Sequence, residues 1–148
     1  MSEYGPYGRV ALAAAKSLSA NSALHPAKAW EAAARHEFPI SPSSQEKGCP
    51  RTTFLTLCGT GLIAGIPSGE YCERTANWEH ALAGLAIAAS ESDHTPTSLW
   101  KRVTNGSGKA HNRQMHVLLA LVRSGLLTPR RVPSLAPRSA TSPITSLP

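Results

Sequence analysis

Residues Tyr7–Trp30 read YGRVALAAAKSLSANSALHPAKAW, and residues Asn77–Trp100 read NWEHALAGLAIAASESDHTPTSLW. At this offset of 70, Ala11, Leu12, Ala13, Ser22, Pro26 and Trp30 fall on Ala81, Leu82, Ala83, Ser92, Pro96 and Trp100. A second pair of segments follows at an offset of 64: FLTLCGTGLIAGIP from Phe54 and LLALVRSGLLTP from Leu118. There Leu55, Leu57, Gly61 and Leu62 match Leu119, Leu121, Gly125 and Leu126. The order is the same in both halves, which predicts a duplicated unit.

Apolar residues return at helical steps throughout. Val10, Ala13, Ala14 and Leu18 predict a first helix over Arg9–Ala20. Pro26 suits the first residue of a second helix, where its missing N–H costs nothing, and that helix stops before Pro39. The stretch Pro39–Gly48 reads as a loop, and Pro50 opens a third helix through Leu57 that closes near Gly61. A fourth helix is expected over Trp78–Ala89. A fifth follows, capped by Thr95 ahead of Pro96, with Leu99, Trp100 and Val103 on one face. Asn105-Gly106-Ser107-Gly108 is turn punctuation, and Asn112 can cap a sixth helix to Ser124. If Gly61 and Gly125 each take the left-handed conformation, Leu62 folds back on Leu57 and Leu126 on Leu121, closing both third helices alike.

The expected fold is therefore all-α: two tandem three-helix, helix-turn-helix-like units, residues 7–67 and 77–128, related by a pseudo-two-fold. Each is too small to bury much surface alone, so a shared core is expected. Trp30 and Trp100 are expected as equivalent core anchors, and His25 and His94 as surface loop residues. Residues 129–148 form a basic Pro/Ser-rich tail. From Thr128 on, the chain has five prolines, four serines and three arginines without a period, which predicts disorder.

The net charge of +6 is unevenly spread. Residues 1–93 carry seven Lys/Arg and all nine Asp/Glu, a net of −2; residues 94–148 carry eight Lys/Arg and no acid, a net of +8. A run of 55 residues without a carboxylate suits an acidic partner, either nucleic acid or an acidic protein surface. At the start of the sixth helix, Asn112, Arg113 and Gln114 are residue types that pair with base edges, at the place where a helix-turn-helix presents its recognition face. With Lys101, Arg102, Lys109, His111 and Arg123 they make up the expected nucleic-acid interface. A solvated polar first turn is the plainer alternative for that segment. The competing function is an adaptor or inhibitor that binds protein through the cleft between the repeats.

Other chemistries fit poorly. Gly106–Ala110 resembles the end of a phosphate-binding loop. However, Val103 replaces its first glycine, Ala110 replaces its hydroxyl, and a helix precedes it. Cys49, Cys58 and Cys72 are an odd count without a C-x-x-C pair, which argues against a disulfide scaffold and a four-ligand zinc site. Cys49 precedes Pro50 at a helix start beside Lys47 and Arg51, which makes it the candidate reactive thiol. No sequence feature selects a base for it among the six histidines, so a non-enzymatic protein without metal or cofactor is expected. No apolar run approaches membrane-span length and no signal-peptide pattern is present, which predicts a cytoplasmic protein.

Lys47-Gly48-Cys49-Pro50 and Asn112-x-Gln114-Met115 resemble the helix starts of a family of small bacterial proteins of unknown function. The resemblance covers most of residues 7–127. His116 stands where that pattern has an acidic residue, and the tail lies outside it. The resemblance implies the helical fold and a bacterial or phage origin, and carries over no activity.

Overall fold

Short-range signals place most of the helix ends. The computed structural model describes residues 4–21, 23–111 and 113–129, so the segment from residue 130, most of the predicted disordered tail, lies outside the described residues. The helices are α1 (Gly5–Ala20), α2 (Pro26–Glu37), α3 (Pro42–Gln45), α4 (Gly48–Gly59), α5 (Ala76–Ser90), α6 (Pro96–Val103) and α7 (Gln114–Arg123). The chain is all-α. Pro26 and Pro96 open α2 and α6 as expected. Thr95 and Ser98 form a reciprocal capping box: the Ser98 N–H donates to Thr95 Oγ1 at 3.0 Å and the Thr95 N–H to Ser98 Oγ at 2.9 Å. At α2 the exposed His25 does similar work, its Nδ1 accepting the Ala27 N–H at 3.0 Å.

Several boundaries differ from the expectation. α1 begins at Gly5, four residues early, because Pro6 is compatible with a first turn and Tyr7 is buried beneath it. The expected Pro39–Gly48 loop contains the single turn α3, capped by Ser41, whose Oγ accepts the Ser44 N–H at 3.4 Å. α4 begins at Gly48 rather than Pro50, since a proline in the first turn removes a donor that has no intrahelical partner anyway.

The paired closes carry a further correction. Gly61 and Gly125 do take left-handed backbone, at φ 79° and 84°. The residues that bury themselves are the next ones along, Ile63 and Leu127, while Leu62 and Leu126 stay half-buried. The cause is that the two closes pair with each other. Ile63 and Leu127 form an antiparallel bridge, flanked by Ala64 N–H to Leu126 O and Thr128 N–H to Leu62 O, both 3.1 Å. The segments matched by the 64-residue offset thus meet in space.

Helix packing is crossed between the two predicted units. α1 lies on α2 and on α7, α5 lies on α6 and on α4, and α4 and α7 touch at the centre. The first helix of each unit therefore packs on the last helix of the other. One cluster of buried side chains results, with Trp30, Phe54, Leu57, Leu85, Leu99, Met115, Leu118 and Leu121 at its heart. Small residues let the helices come close: a Cβ on Gly8 of α1 would lie 3.3 Å from that of Ala120 on α7. Trp30 and Trp100 are both buried, Trp30 against Phe54 with ring centres 5.2 Å apart.

Candidate functional site

Three helix starts converge. Cys49 is the second residue of α4, Asn77 the second of α5, and Gln114 the first of α7. Gln114 Nε2 donates to Asn77 Oδ1 at 3.1 Å, and Asn77 Nδ2 donates to Cys49 Sγ at 3.5 Å. The amide of Asn77 is thereby turned so that its N–H faces sulfur. This relay joins the Lys-Gly-Cys-Pro and Asn-x-Gln-Met helix starts through a residue of neither motif. It also corrects the expectation for Gln114. The side chain is 3% exposed and spent on Asn77, so it presents nothing to a nucleic-acid groove.

Beside the relay lies a stack of rings. His80 meets the Trp100 ring edge-on at 4.9 Å, His111 stacks on the other ring contact of Trp100 at 5.0 Å, and His116 stacks on His111 at 5.1 Å. Trp100 Nε1–H donates to the Lys109 carbonyl at 2.8 Å, which ties the connection between α6 and α7 back onto α6. His111 Nε2 accepts the Met115 N–H at 3.1 Å. A histidine therefore satisfies a free donor in the first turn of α7. Asn112, expected as the cap and as a base-reading residue, lies outside the described residues, and α7 starts at Gln114.

The electrostatics of the stack favour neutral rings. Burial, then the charges of His116 and Arg113, push the His111 imidazole down to about 4. Burial and Lys109 lower His80, with Glu79 opposing, and burial and Arg113 lower His116. The Nδ1 atoms of His80 and His116 are buried with no hydrogen-bond partner among the described residues. No group of three His, Cys, Asp or Glu among the described residues is arranged to hold a metal ion.

The expected cations divide into two sets. Lys101, Lys109 and Arg113 are exposed, with no ion pair to any described residue. Arg113, the residue just before α7, takes left-handed backbone at φ 72°. Arg102 and Arg123 are already engaged. Arg102 pairs with Glu91 at 2.6 Å, and that carboxylate also meets His94 Nε2 at 2.7 Å. Arg123 donates to the His94 carbonyl and, at 3.2 Å, to the Tyr4 hydroxyl, with its guanidinium 5.8 Å from the Tyr4 ring centre. Both are exposed, and their contacts place them at the α5–α6 corner and at the start of α1.

Sequence reasoning missed Asn77, His80 and His116. Asn77 and His80 sit one turn apart at the start of α5, a spacing that marks a shared face. Nothing local pairs that face with Cys49 or Gln114, which are 28 and 37 residues away from Asn77.

The chain belongs to a family of unknown function, DUF6979, whose model matches residues 2–128. No curated protein and no solved structure matches it. No helix among the described residues is long and apolar enough to cross a membrane.

Proposed function

We propose that this is a non-enzymatic, cytoplasmic nucleic-acid-binding protein that grips phosphates rather than reading base edges. One observation carries the reading: within the half that has no carboxylate, Lys101, Lys109 and Arg113 stand exposed around one connection, with no ion pair to any described residue. The arginines at 130, 131 and 138 extend the same charge along the chain. Burial of Gln114 removes a base-reading side chain, which favours sequence-tolerant contacts, since phosphate contacts position a protein without specifying sequence. We infer also that residues 7–67 and 77–128 arose as one duplicated unit, supported by the meeting of Ile63 with Leu127.

The test is fluorescence anisotropy with unrelated DNA and RNA duplexes at two salt concentrations. Three phosphate contacts give a log–log salt slope of roughly −3 on duplex DNA, and each contact removed reduces it by about 0.9. The Lys101→Ala/Lys109→Ala/Arg113→Ala variant should bind weakly with a flattened slope. No binding at micromolar protein in low salt would overturn the proposal, as would a triple variant that binds like the parent. An adaptor remains the second reading, favoured by a groove of about 490 Å³ beside the Ile63–Leu127 pairing, lined by Gly61, Leu62, Ile66, Leu126 and Thr128. A partner bound there would be held with little dependence on salt.

A further inference from the structure

The role of His111 goes beyond cation presentation, and it follows from what a ring nitrogen must be in order to accept a backbone N–H. At 3.1 Å from the Met115 amide, Nε2 has to carry a lone pair, so His111 is the neutral tautomer with its proton on Nδ1. The same ring is held between Trp100 and His116. It sits next in chain to the segment that Trp100 fastens through the Lys109 carbonyl. A proton added at Nε2 would turn that acceptor into a donor facing another donor. It would also place a cation beside His116, Lys109 and Arg113.

We propose that His111 is a proton-operated latch: neutral, it caps α7 and holds residues 104–111 against Trp100; protonated, it loses the cap and frees that segment.

The surroundings of the ring set the direction. From α5 come His80 and, acting on His80, the carboxylate of Glu79. From α6 comes the Trp100 ring, and from α7 comes His116. The connection itself supplies Lys109 and Arg113. Cations outnumber the single carboxylate, so the surroundings resist protonation until the medium is clearly acidic, and burial of the ring adds to the resistance. Nε2 faces the Met115 N–H at 3.1 Å, so the new N–H meets a donor where it needs an acceptor. Release is then the outcome that satisfies the ring, because water can take the proton-bearing nitrogen once it leaves the stack.

The experiment is a pH titration of the full chain by NMR, from neutral pH downward, following the His111 imidazole C–H signals, the Met115 amide and the Trp100 indole N–H. Far-UV ellipticity is recorded in parallel. The expected result is one shared midpoint for the three probes, well below the ordinary histidine value, with helicity retained. Below that midpoint Met115 amide protection should fall about tenfold per pH unit, as the latched population does. His111→Gln offers a side-chain oxygen that accepts but does not titrate, and should abolish the coupled shifts. His111→Phe keeps the stack without an acceptor, and should leave Met115 poorly protected at every pH. The proposal is overturned if the Met115 and Trp100 signals follow the titration of His80 or His116 instead. It is overturned equally if they move only with loss of helicity, or still shift in His111→Gln. The parent titration alone decides the matter should a variant fail to fold.

Discussion

Replacing Gln114 separates a structural role from a recognition role, and the structure gives the size of the effect. Gln114→Ala removes one buried methylene, worth about 0.8 kcal/mol. It also leaves Asn77 Oδ1 without the Gln114 donor in a half-buried site, which costs roughly 1–3 kcal/mol. The better helix propensity of alanine and the side-chain entropy no longer lost offset part of this, about 1 kcal/mol together. The expected net loss is about 1–3 kcal/mol. At roughly 3–4 °C per kcal/mol for a chain of this size, the melting midpoint should fall by about 3–12 °C. Gln114→Leu keeps the volume but not the donor, so it should recover part of the loss and not all. A double-mutant cycle with Asn77→Ala, followed by urea denaturation, should return a coupling energy of about 0.5–2 kcal/mol. Nucleic-acid affinity and its salt slope, measured well below the melting transition, should stay within about twofold of the parent, a shift of under ~0.5 kcal/mol. A variant that melts like the parent yet changes its preference among DNA sequences would refute the reasoning, because Gln114 would then face a ligand and not Asn77.

Trp100→Ala should destabilise the fold by about 3–5 kcal/mol, since the ring is buried and also carries the bond to Lys109; an unchanged melting curve would place the ring outside the core. Among the thiols, Cys58 is fully buried and burial pushes its pKa upward, whereas Cys49 is half-exposed and receives the Asn77 N–H. Brief alkylation read by peptide mass spectrometry should therefore label Cys49 well before Cys58, and equal rates in the folded protein would contradict that placement. Stability should also depend on pH through His111, whose pKa is depressed from 6.5 to about 4. The unfolded chain then binds the proton more readily, so this contribution is complete above about pH 6.5 and disappears as pH falls towards 4. Its size is about 1–2 kcal/mol after screening at a partly buried ring, and His111→Gln should flatten the melting midpoint between pH 7 and 5.

Every helix except α3, their order and the two left-handed glycines were legible in the sequence because each depends on neighbours a few residues apart. Pro26 and Pro96 begin helices by their own geometry, Thr95 finds its capping partner three residues on, and the periodicity around Leu57 and Leu121 announces a buried face. What a buried face rests against is a different question, and no local pattern answers it. The crossing of α1 onto α7 and α5 onto α4 depends on which helices fit at close range, as where Gly8 meets Ala120. The same holds for the bridge that draws Ile63 and Leu127 inward in place of Leu62 and Leu126. The site was hidden for that reason. Polar residue type suggested that Gln114 faces water, yet it is buried against Asn77, and the exposed Arg102 and Arg123 are engaged by partners that only the tertiary structure supplies: Glu91, and the His94 carbonyl with Tyr4. A side chain's chemistry is written in the sequence. Whether that chemistry remains available to a ligand is decided by the groups that packing sets within hydrogen-bonding reach of it.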